Sequence, residues 1–434
     1  MKLKRMISVT LALTLMVGTL TGCSSKAQDN LPNSSSSDGK VQVEFWNTLT
    51  GTNEEIIKGY VDKFNAQSED VEVKMVSQGD YWENGTKLQA AIAAGNQPDL
   101  TMLEVTQVAQ FASVGALADL EQYVSKEKID DFLPGLMRES KYDGKTVSVP
   151  LNRSTPLLYL NKEMCEDAGL NPEGPKNWDE LKVYAEKLTN KENGVVGLAV
   201  PIDIWFFEAL IYQQGGQMID ENNKVAFNNE IGFNALGLWQ DMMKEGIMQL
   251  PPGEGYDAWD AAKDAFVNGK AGMTFQSTAS LAGLMNQAEG KFTVNTAFLP
   301  GNPQYGVPTG GANVVMMEGS SKEEKEAAAE FIEFMTDEEN ASQFSIDTGY
   351  MPTTNTALNS EIIQNLYKEK PQYSTAYKQL EYAFQRPGVV GYVEATEKLM
   401  NEMKKALMNL NVDVKETVEK ATTIMQQVID KNNK

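Results

Sequence analysis

Pro150 and Pro156 constrain this chain more than any other pair of residues. Each fixes its own φ at about −65° and pushes the residue before it towards an extended conformation, so the stretch from Val149 to Lys162 is predicted to run outstretched. Tyr142-Asp143-Gly144-Lys145 ahead of it is a tight-turn signature, because Asp-Gly accepts the positive φ angles of a two-residue hairpin, and a strand should arrive at Val149. Asn152, Arg153, Ser154 and Thr155 lie between the prolines, and Leu157, Leu158 and Leu160 re-enter a core beyond them. A stiff segment with a polar middle suits a chain passing between two bodies and lining the floor of a cleft.

Two bodies also suit the length. At 434 residues with 41% hydrophobic residues the chain exceeds one ordinary core and is globular. Its formal charge of −22 argues against nucleic acid, whose phosphates need clustered cations. The sequence contains no histidine, which removes His-based triads, His-ligated zinc and imidazole proton shuttles. Nothing in it calls for a cofactor or a metal: Asp220-Glu221-Asn222-Asn223-Lys224 lacks the glycine and terminal glutamate of a calcium loop and is predicted to be a solvated turn.

Lys2, Lys4 and Arg5 precede an apolar run, Met6–Leu20, that is short of the roughly 20 residues of a membrane-spanning helix and has the pattern of an export signal. Leu20-Thr21-Gly22-Cys23 resembles the lipobox of bacterial lipoproteins, which makes Cys23 the expected lipidated N-terminus after loss of residues 1–22. Residues 23–40, with Ser34 to Ser37 in a row, are predicted to be a polar tether. Cys165 is then left without a partner, among acids and with no histidine to activate it, and is expected to be core filler.

Along the chain, Val41–Trp46 alternates as a strand. Thr52-Asn53-Glu54-Glu55 reads as a capping box for a helix with Ile57, Tyr60, Val61 and Phe64 on one face. Strands at Val71–Val76 and Leu100–Leu103 flank a helix near Trp82 to Ala94 closed by Gly95, a β-α-β-α-β succession that implies a mainly parallel sheet with its ligand site beyond the carboxyl ends of the strands. Asn177 is predicted to cap a helix with Leu181, Tyr184, Ala185 and Leu188 on one face. Pro300, Pro303 and Pro308 mark a second extended crossing that delivers Thr309 to Asn313 back to the first body. The expected division is residues 41–151 with 311–355 in lobe 1, and 152–310 with 356–434 in lobe 2.

These pieces resemble the extracellular solute-binding proteins of carbohydrate-uptake ABC importers, the maltose-binding-like group, over residues 40 to 434. Asn152-Arg153-Ser154-Thr155-Pro156 through Lys162, Ser277-Thr278-Ala279-Ser280-Leu281-Ala282, Gly310-Gly311-Ala312 and Thr348-Gly349-Tyr350-Met351-Pro352 are most similar to the glycerol-3-phosphate-binding branch. The resemblance implies an α/β fold of the two-lobed periplasmic-binding-protein type, class II, with a hinge and a ligand cleft. It implies ligand contacts at Tyr81, Glu104, Ser154, Ser277 or Thr278, Gly311 and Tyr350, with an aromatic at Trp205.

Where that branch has a late phosphate-binding arginine this chain aligns Glu394, and Arg386 falls out of place. The expected ligand is therefore a neutral or weakly charged sugar, with Glu394 as hydroxyl acceptor and Arg153 as donor; glycerol 3-phosphate or a glycerophosphodiester is the alternative. The chain is expected to be no enzyme, although a glycoside hydrolase using Glu104 and Glu394 needs no histidine and stays open, as does a purely adhesive lipoprotein. Expected partners are permease subunits with a cytosolic ATPase, since the chain has no phosphate-binding loop of its own, and the membrane through a lipid at Cys23. The expected form is a monomer on the outer face of the cell membrane of a Gram-positive bacterium.

Overall fold

The computed structural model describes residues 39–433, so the expected export signal, the expected lipidation site Cys23 and all of the expected tether except Gly39 and Lys40 lie outside them. The strands in chain order are β1 Val41–Asn47, β2 Val71–Ser77, β3 Leu100–Glu104, β4 Lys141–Tyr142, β5 Lys145–Thr146, β6 Val149–Ser154, β7 Pro156–Asn161, β8 Val196–Ala199, β9 Met248–Gln249, β10 Ala271–Ser277, β11 Val294–Ala297, β12 Val307–Pro308, β13 Gly310–Met316 and β14 Ala383–Phe384. Ten of them form two five-stranded sheets, β2-β1-β3-β13-β6 and β11-β7-β10-β8-β9. β1, β2 and β3 run parallel and β13 runs against both β3 and β6, so the carboxyl ends of β1, β3 and β6 and the start of β13 share one edge. In the second sheet β10 is parallel to β8 and antiparallel to β7.

The proline-bounded stretch joins the sheets. β6 belongs to the first and β7 to the second, with Thr155 alone between them. The crossing therefore lies at Thr155, a few residues beyond the 151/152 boundary expected from sequence. Pro150 is tolerated because β6 is an edge strand, and the pairing with β13 skips Leu151 in a bulge beside it. Pro156 is the first residue of β7, where a missing N–H costs least. The Asp-Gly hairpin forms between β4 and β5, with Asp143 at φ 47° and Gly144 at φ 76°.

Helix faces follow the sequence periodicity. Ile57, Tyr60, Val61 and Phe64 of the helix Thr52–Gln67 are buried, as are Leu181, Tyr184, Ala185 and Leu188 of Trp178–Leu188. Asn177 caps the latter by accepting from the Glu180 backbone N–H at 2.9 Å. The capping box at Thr52 does not form: Gly51, at φ 58°, is the N-cap and no side chain bonds there. Only glycine enters that conformation without strain, so backbone geometry does what the hydroxyl was expected to do.

One core gathers around the first sheet and the helix Lys322–Met335. Another spans the helices Ile204–Gln213, Glu230–Glu245, Tyr392–Met408 and Val414–Asn432 beside the second sheet. Cys165 is fully buried in it, its thiol pushed up to about 12 by loss of solvent and then by Glu166. Among the described residues no helix is long and apolar enough to cross a membrane.

Candidate functional site

A single register row crosses the shared edge of the first sheet: Glu104 opposite Ala312, and Ala312 opposite Asn152. Asn152 donates from Nδ2 to the Tyr81 hydroxyl at 2.8 Å. Tyr81 opens the helix Tyr81–Ala94, which starts there because Asp80 accepts from the Trp82 and Glu83 N–H groups. Its phenol also lies within reach of Tyr350, which stacks parallel to Phe344 at a centroid distance of 5.9 Å. Burial, and then the neighbouring phenols Tyr350 and Tyr256, hold the Tyr81 phenol well above its ordinary pKa, so it stays a hydrogen-bond donor at neutral pH.

The opposite wall comes from the second sheet's helices. Asp203 caps the helix Ile204–Gln213 through the Trp205 N–H at 2.9 Å and accepts from Trp259 Nε1 at 3.3 Å. Trp205, Phe206 and Trp259 form one aromatic group, with Trp205 6.3 Å from Trp259 and Phe206 stacked on Trp259 at 5.0 Å. The Trp205 indole lies against Gly310 of the first sheet, where an added Cβ would sit 2.7 Å from Cζ2. The two walls therefore touch at that point.

Glu208 is one helical turn beyond Trp205, and its carboxylate is fully buried. It accepts from Arg386 through Nε at 2.7 Å and Nη2 at 3.2 Å, and from the Tyr392 hydroxyl at 2.7 Å. The other edge of Arg386 reaches Glu104 at 2.5 Å, and the remaining oxygen of Glu104 accepts from the backbone and hydroxyl of Thr106. This ion triad spans from the first sheet to the second. Burial alone would weaken the Arg386 charge, but Glu208 and Glu104 outweigh it and raise its pKa. Burial raises the pKa of Glu208 even against that guanidinium, and Asp203 is raised by burial as well.

Buried polar atoms without a hydrogen-bond partner concentrate here. Among the described residues they include Thr48 Oγ1, Gln107 Oε1 and Asn152 Oδ1 on the first lobe and Trp205 Nε1 and Gln276 Oε1 on the second. Thr48 follows β1, Gln107 follows β3 and Gln276 is near the end of β10. Each such atom costs about 1–3 kcal/mol when left dry and unpaired, so their gathering at facing strand ends marks a place made for an outside partner.

The sequence-derived residues divide accordingly. Tyr81, Glu104, Trp205 and Tyr350 come to this place. Gly311 backs it, held at φ 84° with an added Cβ only 1.8 Å from the Asn152 carbonyl oxygen. Ser154 is buried opposite Gly310, and Ser277 caps the short turn after β10 by accepting from the Ala279 N–H at 3.2 Å.

Thr278 is spent on the crossing between the sheets. Its hydroxyl donates to the Thr155 carbonyl at 2.7 Å and accepts from the Thr155 N–H at 3.0 Å.

Arg153, expected as a ligand donor, has a different task. Its side chain is fully buried and its donors go to Gly310 O, Leu136 O, Asn313 Oδ1, Thr309 Oγ1 and Glu139 Oε2, at 3.0, 2.8, 3.1, 2.8 and 3.4 Å. All five N–H groups are used inside the protein. Glu394, expected as an acceptor, is exposed on the first turn of the helix Tyr392–Met408, and the buried acceptors are Glu104 and Glu208 instead. Arg386, expected to be out of place, is at the centre.

Of the residues missed, Glu208 carried a signal: it is the lone charge in Ile204–Gln213, and a buried acid in an apolar helix demands a partner. Asn152 lay in the polar crossing. Gln107 and Gln276 carried none.

The profile of a family described as "Bacterial extracellular solute-binding protein" matches residues 59–375. The sn-glycerol-3-phosphate-binding periplasmic protein UgpB of Escherichia coli (strain K12) is 30% identical over 363 residues, covering 78% of this chain and 80% of that protein. Among solved structures, the cyclic alpha-maltosyl-1,6-maltose binding protein from Arthrobacter globiformis is similar with a TM-score of 0.75 and 25% identity, over 91% of this chain and 100% of that one. UgpB from Mycobacterium tuberculosis, in complex with glycerophosphocholine, is similar in fold with a TM-score of 0.81 and 23% identity, over 91% and 100%.

Proposed function

The chain belongs to the bacterial extracellular solute-binding protein family, and from that premise we propose that it captures a neutral or weakly charged saccharide between its lobes and delivers it to an ABC permease driven by a cytosolic ATPase. One observation carries the choice of ligand. Four of the unpaired buried atoms at the site, on Thr48, Gln107, Asn152 and Gln276, are oxygens, and Trp205 supplies one N–H. The three amide oxygens accept, the Trp205 N–H donates and the Thr48 hydroxyl does either, a set that suits hydroxyl groups, which a saccharide carries in greater number than glycerol 3-phosphate; the phosphate group itself only accepts.

The charge balance favours the same reading. Glu104, Glu208 and Asp203 are electrostatically coupled to the single guanidinium of Arg386. A phosphate entering beside them meets like charge and loses its own hydration. The related proteins named for glycerol 3-phosphate and crystallised with glycerophosphocholine keep a phosphate ligand as the second reading.

In this reading Tyr81, Trp205 and Tyr350 stack on the sugar, Glu104, Ser154 and Ser277 bond its hydroxyls, and Gly311 lets the backbone come close. The lobes are residues 41–154 and 156–309 with their later segments, and they swing about Thr155. No catalytic role is assigned: the family is one of transporter binding proteins, and Glu104 is held by Arg386 and Thr106 while Glu394 is exposed, which is no acid–base pair for glycoside hydrolysis.

A thermal-shift screen over mono-, di- and oligosaccharides, glycerol 3-phosphate and glycerophosphocholine tests the reading. At least one saccharide is expected to raise the unfolding temperature, and Trp205→Ala to weaken its binding by about 1–3 kcal/mol in calorimetry. Silence from every saccharide beside micromolar binding of glycerol 3-phosphate would reverse the assignment.

The proposal includes a monomer anchored by lipid at Cys23 to the outer face of a Gram-positive cell membrane, supported by the basic start, apolar run and lipobox. Cys23→Ala is expected to release the protein into the medium. Retention of that variant on membranes in a fractionation assay would count against the anchor.

A further inference from the structure

We propose that Glu208 sets the charge selectivity of the cleft by claiming Arg386, so that the site's cation is closed to anionic ligands. The inference rests on the saccharide reading and names the residue that enforces it. Glu208 is unexposed, grips Arg386 side-on through two N–H groups and is itself held by the Tyr392 hydroxyl. A carboxylate in that geometry occupies the paired-donor edge that a phosphate would use. Glu104 takes a donor from the other edge at 2.5 Å, and Asp203 adds a third negative charge nearby. The group carries a formal charge of about −2 around one guanidinium, which repels an anion and leaves hydroxyl ligands unaffected.

A second approach to Arg386 lies on a side that neither Glu208 nor Glu104 lines. Arg386 borders a cavity of about 210 Å³ whose lining also includes Arg138 and Lys141, opposed by Glu139. Glu139 is already committed to Arg153. With Glu208 neutral, the charge of Arg386 is less compensated, and an anion on this side meets it together with Arg138 and Lys141, against Glu139.

Calorimetric titration of glycerol 3-phosphate into the wild-type chain and into Glu208→Gln and Glu104→Gln variants tests this, with maltotriose titrated in parallel and folding checked by circular dichroism. Glu208→Gln is expected to bind glycerol 3-phosphate roughly tenfold or more tightly than wild type, the effect of about one removed charge interaction. If that variant does not fold, Glu104→Gln, which strips the other carboxylate from the same guanidinium, is expected to show the same direction of change. A folded Glu208→Gln with unchanged or weaker glycerol 3-phosphate binding overturns the proposal, as does a wild-type chain that binds it at micromolar levels. The saccharide titration reports separately: an inert maltotriose with a glycerol 3-phosphate gain in the variant removes the sugar probe and keeps the selectivity role.

Discussion

Arg153→Ala is expected to destabilise the protein by about 3–5 kcal/mol, the range for breaking one side of a fully buried ion pair. The loss comes from Glu139, left buried to 7% exposure without its cation, and from the Leu136 and Gly310 carbonyls and the Asn313 amide, left without a donor. Urea unfolding monitored by tryptophan fluorescence measures it as a lower midpoint at unchanged slope. Lysine restores little, because a single ammonium cannot reach five acceptors in a planar fork. Affinity per folded molecule should change little. A variant of wild-type stability that no longer binds ligand would return Arg153 to the role its sequence position suggested.

Gly311→Ala is the second large effect, at about 2–4 kcal/mol. Two costs add: a positive φ of 84° for a residue with a side chain, and a Cβ placed 1.8 Å from the Asn152 carbonyl oxygen, which is backbone in a paired strand and cannot move aside. Asn152 also holds Tyr81, so ligand affinity should fall with stability. Gly95→Ala is the control. Gly95 has a similar φ of 69°, but an added Cβ there meets nothing within 4 Å, so the cost should stay at about 1 kcal/mol. Equal losses in the two variants, measured by the same unfolding experiment, would show that the contact with Asn152 contributes nothing.

Local rules carried the fold a long way. The prolines, the Asp-Gly turn and the buried stripes at Ile57–Phe64 and Leu181–Leu188 depend on neighbours within a few residues, and so they were legible. The cap at Gly51 is hidden from the sequence, because a hydroxyl beside two acids has the right composition whether or not the backbone turns to use it. At the site, Tyr81 stands out by its place after a strand, Tyr350 by its motif, and Trp205 through the family resemblance alone.

Polar residues of the crossing were harder, because a floor between two bodies needs hydrogen bonds for its own construction. Arg153 and Thr278 are consumed there, and only the three-dimensional count of donors reveals it. Arg386 falls out of place in the sequence because alignment follows distance along the chain, whereas its reach to Glu104 and Glu208 depends on how β14 pairs with β12 and where the following loop leads.

The burial of Cys165 has a practical reach beyond packing. A thiol pushed up to about 12 is ionised in only about one molecule in 10⁴ at pH 8, and its position in the core keeps reagents away as well. With Cys23 modified or removed, a cysteine introduced on the surface is the one reactive thiol of the molecule. Trp82 beside Tyr81 and Tyr256 at the opposite rim, both exposed, offer positions for a dye on either lip. One introduced cysteine is thus enough to make the protein a fluorescent reporter of its own ligand.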